Sequence, residues 1–149
     1  MKTHSIFIIL LVFFGITACH DKKIDPIFHK SHESKKSNAP FSDAVEANGF
    51  LFLSGQVGMD HSTRTLVIGG IESETRQCLE NIKSVLGHHN LTLDDVVKCT
   101  VILKDIGDFK TFNNIYKSYF PKKPARTTFS ASGLAVGARI EIDVIAVSN

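Results

Sequence analysis

The folded part of the chain begins with apolar and polar positions alternating two by two. Ser42 to Ala47 (SDAVEA) and Phe50 to Val57 (FLFLSGQV) flank Asn48-Gly49. That dipeptide favours a two-residue hairpin turn, because both central positions need positive φ. The period then changes. Ile71, Thr75, Cys78, Leu79, Ile82, Val85 and Leu86 recur at helical spacing with charges on the other face, which predicts a helix ending at Gly87 or a residue or two beyond. Thr92 to Asp95 (TLDD) can cap a short turn, and VVKCTVILKD reads as a buried strand. A second helix is predicted from about Asp108. Phe109, Phe112, Tyr116, Tyr119 and Phe120 line one face of it until Pro121 stops it. Two strands, about Arg126 to Ser132 and Arg139 to Val147, finish the chain. The order β-β-(β)-α-β-α-β-β predicts an α+β fold with helices on one face of a sheet.

The N-terminus follows a different pattern. One basic residue, Lys2, precedes an apolar run from Ile6 to Phe14 and then small residues before Cys19. The run is too short for a permanent bilayer span, so residues 1–18 read as a secretory signal. Ile16-Thr17-Ala18-Cys19 resembles the lipobox of bacterial lipoproteins, which implies a lipidated Cys19 and attachment to a membrane of the cell envelope. His20, in place of an aspartate, resembles the outer-membrane sorting pattern of a Gram-negative cell. Residues 19–39 are lysine-rich, polar and aperiodic, and are expected to form a flexible tether. The folded domain is then residues 40–149.

Composition narrows the functional classes. With 149 residues, 43% hydrophobic and 21% charged, one ordinary core is expected. A net charge of +2 without a block of like charges leaves no footprint for nucleic acid. With Cys19 assigned to lipid, Cys78 on the helix stripe and Cys99 on a strand read as buried free thiols. A disulfide between them stays open as an alternative. His29 and His32 are read as part of the solvated tether, and His88 and His89 as favourable charges at a helix C-terminus. No metal-ligand spacing such as HExxH or CxxC occurs, so neither a metal nor another cofactor is expected.

The segments SGQV, TRQCLENIKSVL, LDDVVKCTVILKD, DFKTFNNIY, KPARTTF and IEIDVIAV stand in an order and spacing that resembles the Rid (RidA/YjgF) family of reactive-intermediate deaminases. The resemblance spans Ala39 to Ser148. It implies a chorismate-mutase-like α+β fold, a mixed sheet with two helices on one face, and homotrimers with clefts between subunits. It also implies hydrolysis of 2-imino or enamine acids to 2-keto acids and ammonia without a cofactor. The family's carboxylate-binding arginine falls on Arg126 and its acidic residue on Glu141, with Asp143 on the same strand face. Ser54, Gly55 and Asn113 match residues lining the cleft. Two positions depart from the pattern. Phe41 stands where many active members carry a tyrosine, and Thr128 stands where they carry a cysteine whose backbone lies near the ligand.

The chemistry has a physical basis. Arginine's planar fork matches a carboxylate through two parallel hydrogen bonds. A carboxylate such as Glu141 can take a proton from an attacking water and return it to departing ammonia. Taken singly, the same residues have plainer roles: Arg126 as a surface ion pair, Glu141 as the polar face of a strand, Ser54-Gly55 as a strand end. Export and Phe41 leave a second reading open, a non-catalytic module that binds a small carboxylate or a partner protein.

Overall fold

The structure, a computed structural model, describes residues 25–148. It departs from expectation at once. Ile27–His29 forms a short edge strand, β1, antiparallel to β2 (Ala44–Ala47), with Phe28 opposite Val45. From residue 25 onward the expected tether is therefore folded; Cys19 and the signal segment lie outside the described residues. Two apolar residues in a lysine-rich stretch show no period, so the strand is invisible until its partners are known. Those partners are specific. The His32 ring stacks on His88 with centroids 3.8 Å apart, and His29 meets His89 edge-on at 4.5 Å. Glu33 gathers His61, Lys36 and Arg64, and Lys36 also approaches Asp43 at 3.7 Å. The histidines read as tether and as helix-end charges thus form one cluster.

The predicted hairpin joins β2 to β3 (Phe50–Leu53). Asn48 and Gly49 both have positive φ, 49° and 77°, the mirror-image turn that matches the twist of paired strands. Two-residue strands follow: β4 (Gln56–Val57), β5 (Met59–Asp60) and β6 (Thr65–Leu66), the last two forming a separate small hairpin. Helix α1 (Gly70–His88) buries Cys78, Leu79, Ile82, Val85 and Leu86, as the spacing predicts. Strand β7 (Val96–Leu103), helix α2 (Phe109–Tyr119) and strand β8 (Ala125–Ser130) form a parallel crossover unit, and β9 (Ile140–Val147) closes the sheet.

The seven-stranded sheet runs β1-β2-β3-β9-β7-β8, with β4 also pairing β9. Strand β9 alternates strictly. Ile140, Ile142, Val144 and Ala146 are buried against the helices, with Cys99, Val101 and Leu103 beside them. Each fully buried aliphatic side chain of this kind contributes about 1.5–3 kcal/mol. The helix-free face is different: Phe28, Phe50, Phe52 and Phe129 are all exposed there, in register with Ile102, Ile145 and Val147. One sheet thus has a sealed face and an aromatic open one.

Candidate active site

Arg126 lies on the edge strand β8, in register with the buried Cys99 of β7, and so faces the helix side. The β7-α2-β8 crossover lays α2 alongside it. One guanidinium nitrogen, Nη1, donates to Asn113 Oδ1 at 3.0 Å. The guanidinium carbon sits 4.5 Å from the Tyr116 ring centre, 5.3 Å from Phe112 and 5.7 Å from Phe109. Residues 109, 112 and 116 share one face of α2, so the aromatic stripe that sequence reasoning gave to the core also cradles the cation. Tyr116 is the contact that reasoning missed; its spacing of three from Asn113 is the available signal. A cleft of about 380 Å³ opens here, lined by Arg126, Asn113, Tyr116, Lys117, Phe120, Lys123 and Pro124. Thr128, two residues along the same strand face, has a buried hydroxyl with no hydrogen-bond partner among the described residues.

Glu141 belongs to a second cluster. Strands β3 and β4 pair successively with β9, and Ser54-Gly55 forms the break between them. The Ser54 hydroxyl donates to the Ser42 carbonyl at 2.7 Å, and its amide to the Asp43 carbonyl at 2.9 Å. Phe41, one residue before Ser42, is 55% exposed. Gly55 lies so close to the Glu141 carboxylate that a Cβ there would overlap it. Only glycine fits. Burial raises the Glu141 pKa above the usual carboxylate range, and the nearby Asp143 charge adds to the effect.

The structure thus brings Arg126 together with Asn113 and Thr128, and Glu141 together with the Ser54-Gly55 break, whereas Phe41 lines a separate pocket with Lys30, Lys36 and Pro40. It does not bring the two groups to one point within a chain. Glu141 is in register with Ile102 of β7, whereas Arg126 aligns with Cys99 and, through it, with Val144. Two strand spacings and three residues separate them by roughly 14 Å along the sheet. Alternation also turns them to opposite faces.

The two cysteines of the domain are buried free thiols. Cys78 donates to the Gln56 carbonyl at 3.0 Å, and burial pushes the Cys99 thiol up to about 11. Neither offers a reactive thiolate. Among the described residues no group of His, Cys, Asp or Glu has a geometry that could hold a metal ion.

A family model described as Endoribonuclease L-PSP matches residues 32–148. A RutC family protein of Pyrococcus horikoshii is 43% identical over 78% of this chain and 93% of its own length. The human 2-iminobutanoate/2-iminopropanoate deaminase is 43% identical over 72% of this chain and 80% of its own. The crystal structure of the YjgF gene product of E. coli superposes with a TM-score of 0.75 at 28% identity, covering 83% of this chain and 99% of that one.

Proposed function

We propose that this chain, which belongs to the endoribonuclease L-PSP (Rid/YjgF) family, hydrolyses 2-imino acids to 2-keto acids and ammonia. Its fold is the chorismate-mutase-like α+β fold of that family. The human and mouse deaminases, about as similar to this chain as the Pyrococcus horikoshii protein, are named for this reaction. The observation that carries the reading to these residues is the Arg126 cradle. One face of the guanidinium is held by Asn113 and Tyr116, and the rest of the fork remains for a planar carboxylate.

In the reaction, Arg126 fixes the carboxylate and so aims the imine carbon. Glu141 takes a proton from a water whose oxygen bonds to that carbon. The proton passes to nitrogen to give a carbinolamine; the proton of its hydroxyl then follows the same route to nitrogen as the carbonyl forms, the C–N bond breaks and ammonia leaves. A raised pKa brings this carboxyl nearer the pH at which it must both accept and return a proton.

The separation of Arg126 from Glu141 favours a site shared between copies. In the assembly we propose, a trimer, the Arg126 cleft of one copy faces the Glu141 cluster of the next, and the exposed phenylalanines of the helix-free face become the packed interior. Mixing tests this directly. Arg126→Ala and Glu141→Gln chains are each inactive alone. Refolded together in equal amounts, they regain activity at about a quarter of their sites, those where an intact Arg126 meets an intact Glu141. No recovery from mixtures that do form trimers would refute the shared site.

The location follows from the lipobox reading of Ile16 to Cys19: a lipid-anchored protein of the cell envelope, at the outer membrane in a Gram-negative cell. Fatty-acid labelling that survives Cys19→Ala would refute it.

A further inference from the structure

The Arg126 cleft carries more positive charge than one carboxylate needs. Lys117, Lys123 and Arg126 converge on it, and no carboxylate lines it. None of the three has an acidic partner within ion-pair distance among the described residues. Lys122, in the same turn as Lys123, does have one: it reaches Asp94 at 3.5 Å. What sets the cleft apart is that three cations line one cavity with no carboxylate among its lining residues.

Lys123 is also held in an unfavourable conformation. Its φ is +55°, and its amide donates to the Phe120 carbonyl at 3.1 Å, closing the turn that follows α2. A left-handed conformation is unfavourable for a non-glycine residue, and Pro124 restricts the same residue from the other side. Lys123 lines the cleft together with Lys117, Phe120 and Pro124. The arrangement is a carboxylate clamp with a second cationic station beyond it.

We infer that the cleft selects imino acids bearing a second anionic group, the 2-imino dicarboxylates that form from acidic amino acids. This rests on the deaminase reading and names its substrate class. Arg126 holds the carboxylate next to the imine. Lys117 and Lys123 receive the distal carboxylate, with Phe120 and Pro124 covering the methylenes between. Hydrolysis balances as for any imine: water supplies the new oxygen on C2, the C–N bond breaks, and ammonia departs. The product is a 2-keto dicarboxylate. The reaction that supplies the substrate must oxidise, or otherwise convert to the imine, an acidic amino acid.

The test generates imines in situ with amino-acid oxidases, from aspartate or glutamate on one side and from alanine or 2-aminobutyrate on the other. Consumption by the intact chain is followed in competition with semicarbazide. The expected result is a kcat/KM about tenfold higher for the dicarboxylate imines, falling with added salt. The Lys117→Gln/Lys123→Gln double variant lowers the ratio of dicarboxylate to monocarboxylate kcat/KM by about tenfold, through KM rather than kcat. Equal wild-type rates on both classes, or a double variant that leaves the ratio where it was, would overturn the inference and leave the deaminase reading standing. Failure to accelerate any imine would overturn the deaminase reading and this inference with it.

Discussion

The two halves of the proposed site are built by opposite means. Around Arg126 the determinants are side chains: an amide oxygen at 3.0 Å, three aromatic rings and an open cleft. Around Glu141 the determinant is backbone, a strand break whose glycine makes room for the carboxylate and whose serine is tied to the preceding loop. The first half suits recognition, since a guanidinium stacked on rings stays charged and oriented while its free edge meets solvent. The second suits proton transfer, since partial burial lifts a carboxyl toward neutrality. A side-chain cradle tolerates graded change, but a backbone contact fails at once.

That contrast can be broken or sharpened by substitution. Glu141→Gln should lower kcat by about 10²–10⁴-fold while KM changes little, as steady-state kinetics would show. Gly55→Ala should cost about 10²-fold, because its Cβ displaces the carboxylate; an unchanged circular dichroism spectrum would separate this from unfolding. Arg126→Lys keeps the charge but loses the fork, and about a tenfold rise in KM is expected. Asp143→Asn removes the charge that helps raise the Glu141 pKa, so the acid limb of the kcat profile should move to lower pH. A limb that stays in place would assign the shift to burial alone.

The smallest effect is expected at the histidine cluster. The His89 pKa lies below the ordinary 6.5, first through burial and then through the neighbouring His29 and His32. Its neutral form fits the fold, so the stabilisation is present above pH 6.5 and is lost as pH falls through the lowered value. Glu46, 3.5 Å from His29, opposes part of this. Amide protection factors at Ile27–His29, corrected for the intrinsic exchange rate, should therefore fall on acidification while those of β9 stay high.

Most of the fold is legible in the sequence because its elements carry strong periods. Ile140 to Val147 alternates without a lapse, α1 keeps its stripe from Ile71 to Leu86, and Asn48-Gly49 names its own turn. Strand β1 is not legible: its Ile27-Phe28 gain meaning only from β2 and from histidines some sixty residues away. The site divides in the same way. Arg126 and Glu141 stand out through the ordered motifs, but the role of Tyr116 is hidden within a stripe that also builds the core. That Arg126 and Glu141 face apart is a matter of register, since Cys99 pairs with one and Ile102 with the other. No local pattern encodes which residues of two strands will stand opposite each other.

The pinning of β1 to the sheet also sets the length of a leash. With lipid at Cys19, as proposed, only the eight residues from there to Ile27 span the gap between bilayer and domain. Fully extended they cover at most roughly 28 Å. Had the chain been free to residue 39, twenty residues would have allowed roughly 70 Å. Docking β1 thus exchanges a wide-ranging float for a close mooring, and in a trimer three such moorings would restrict tilt as well as height. The Arg126 clefts would then sample only the thin layer of solution next to the membrane.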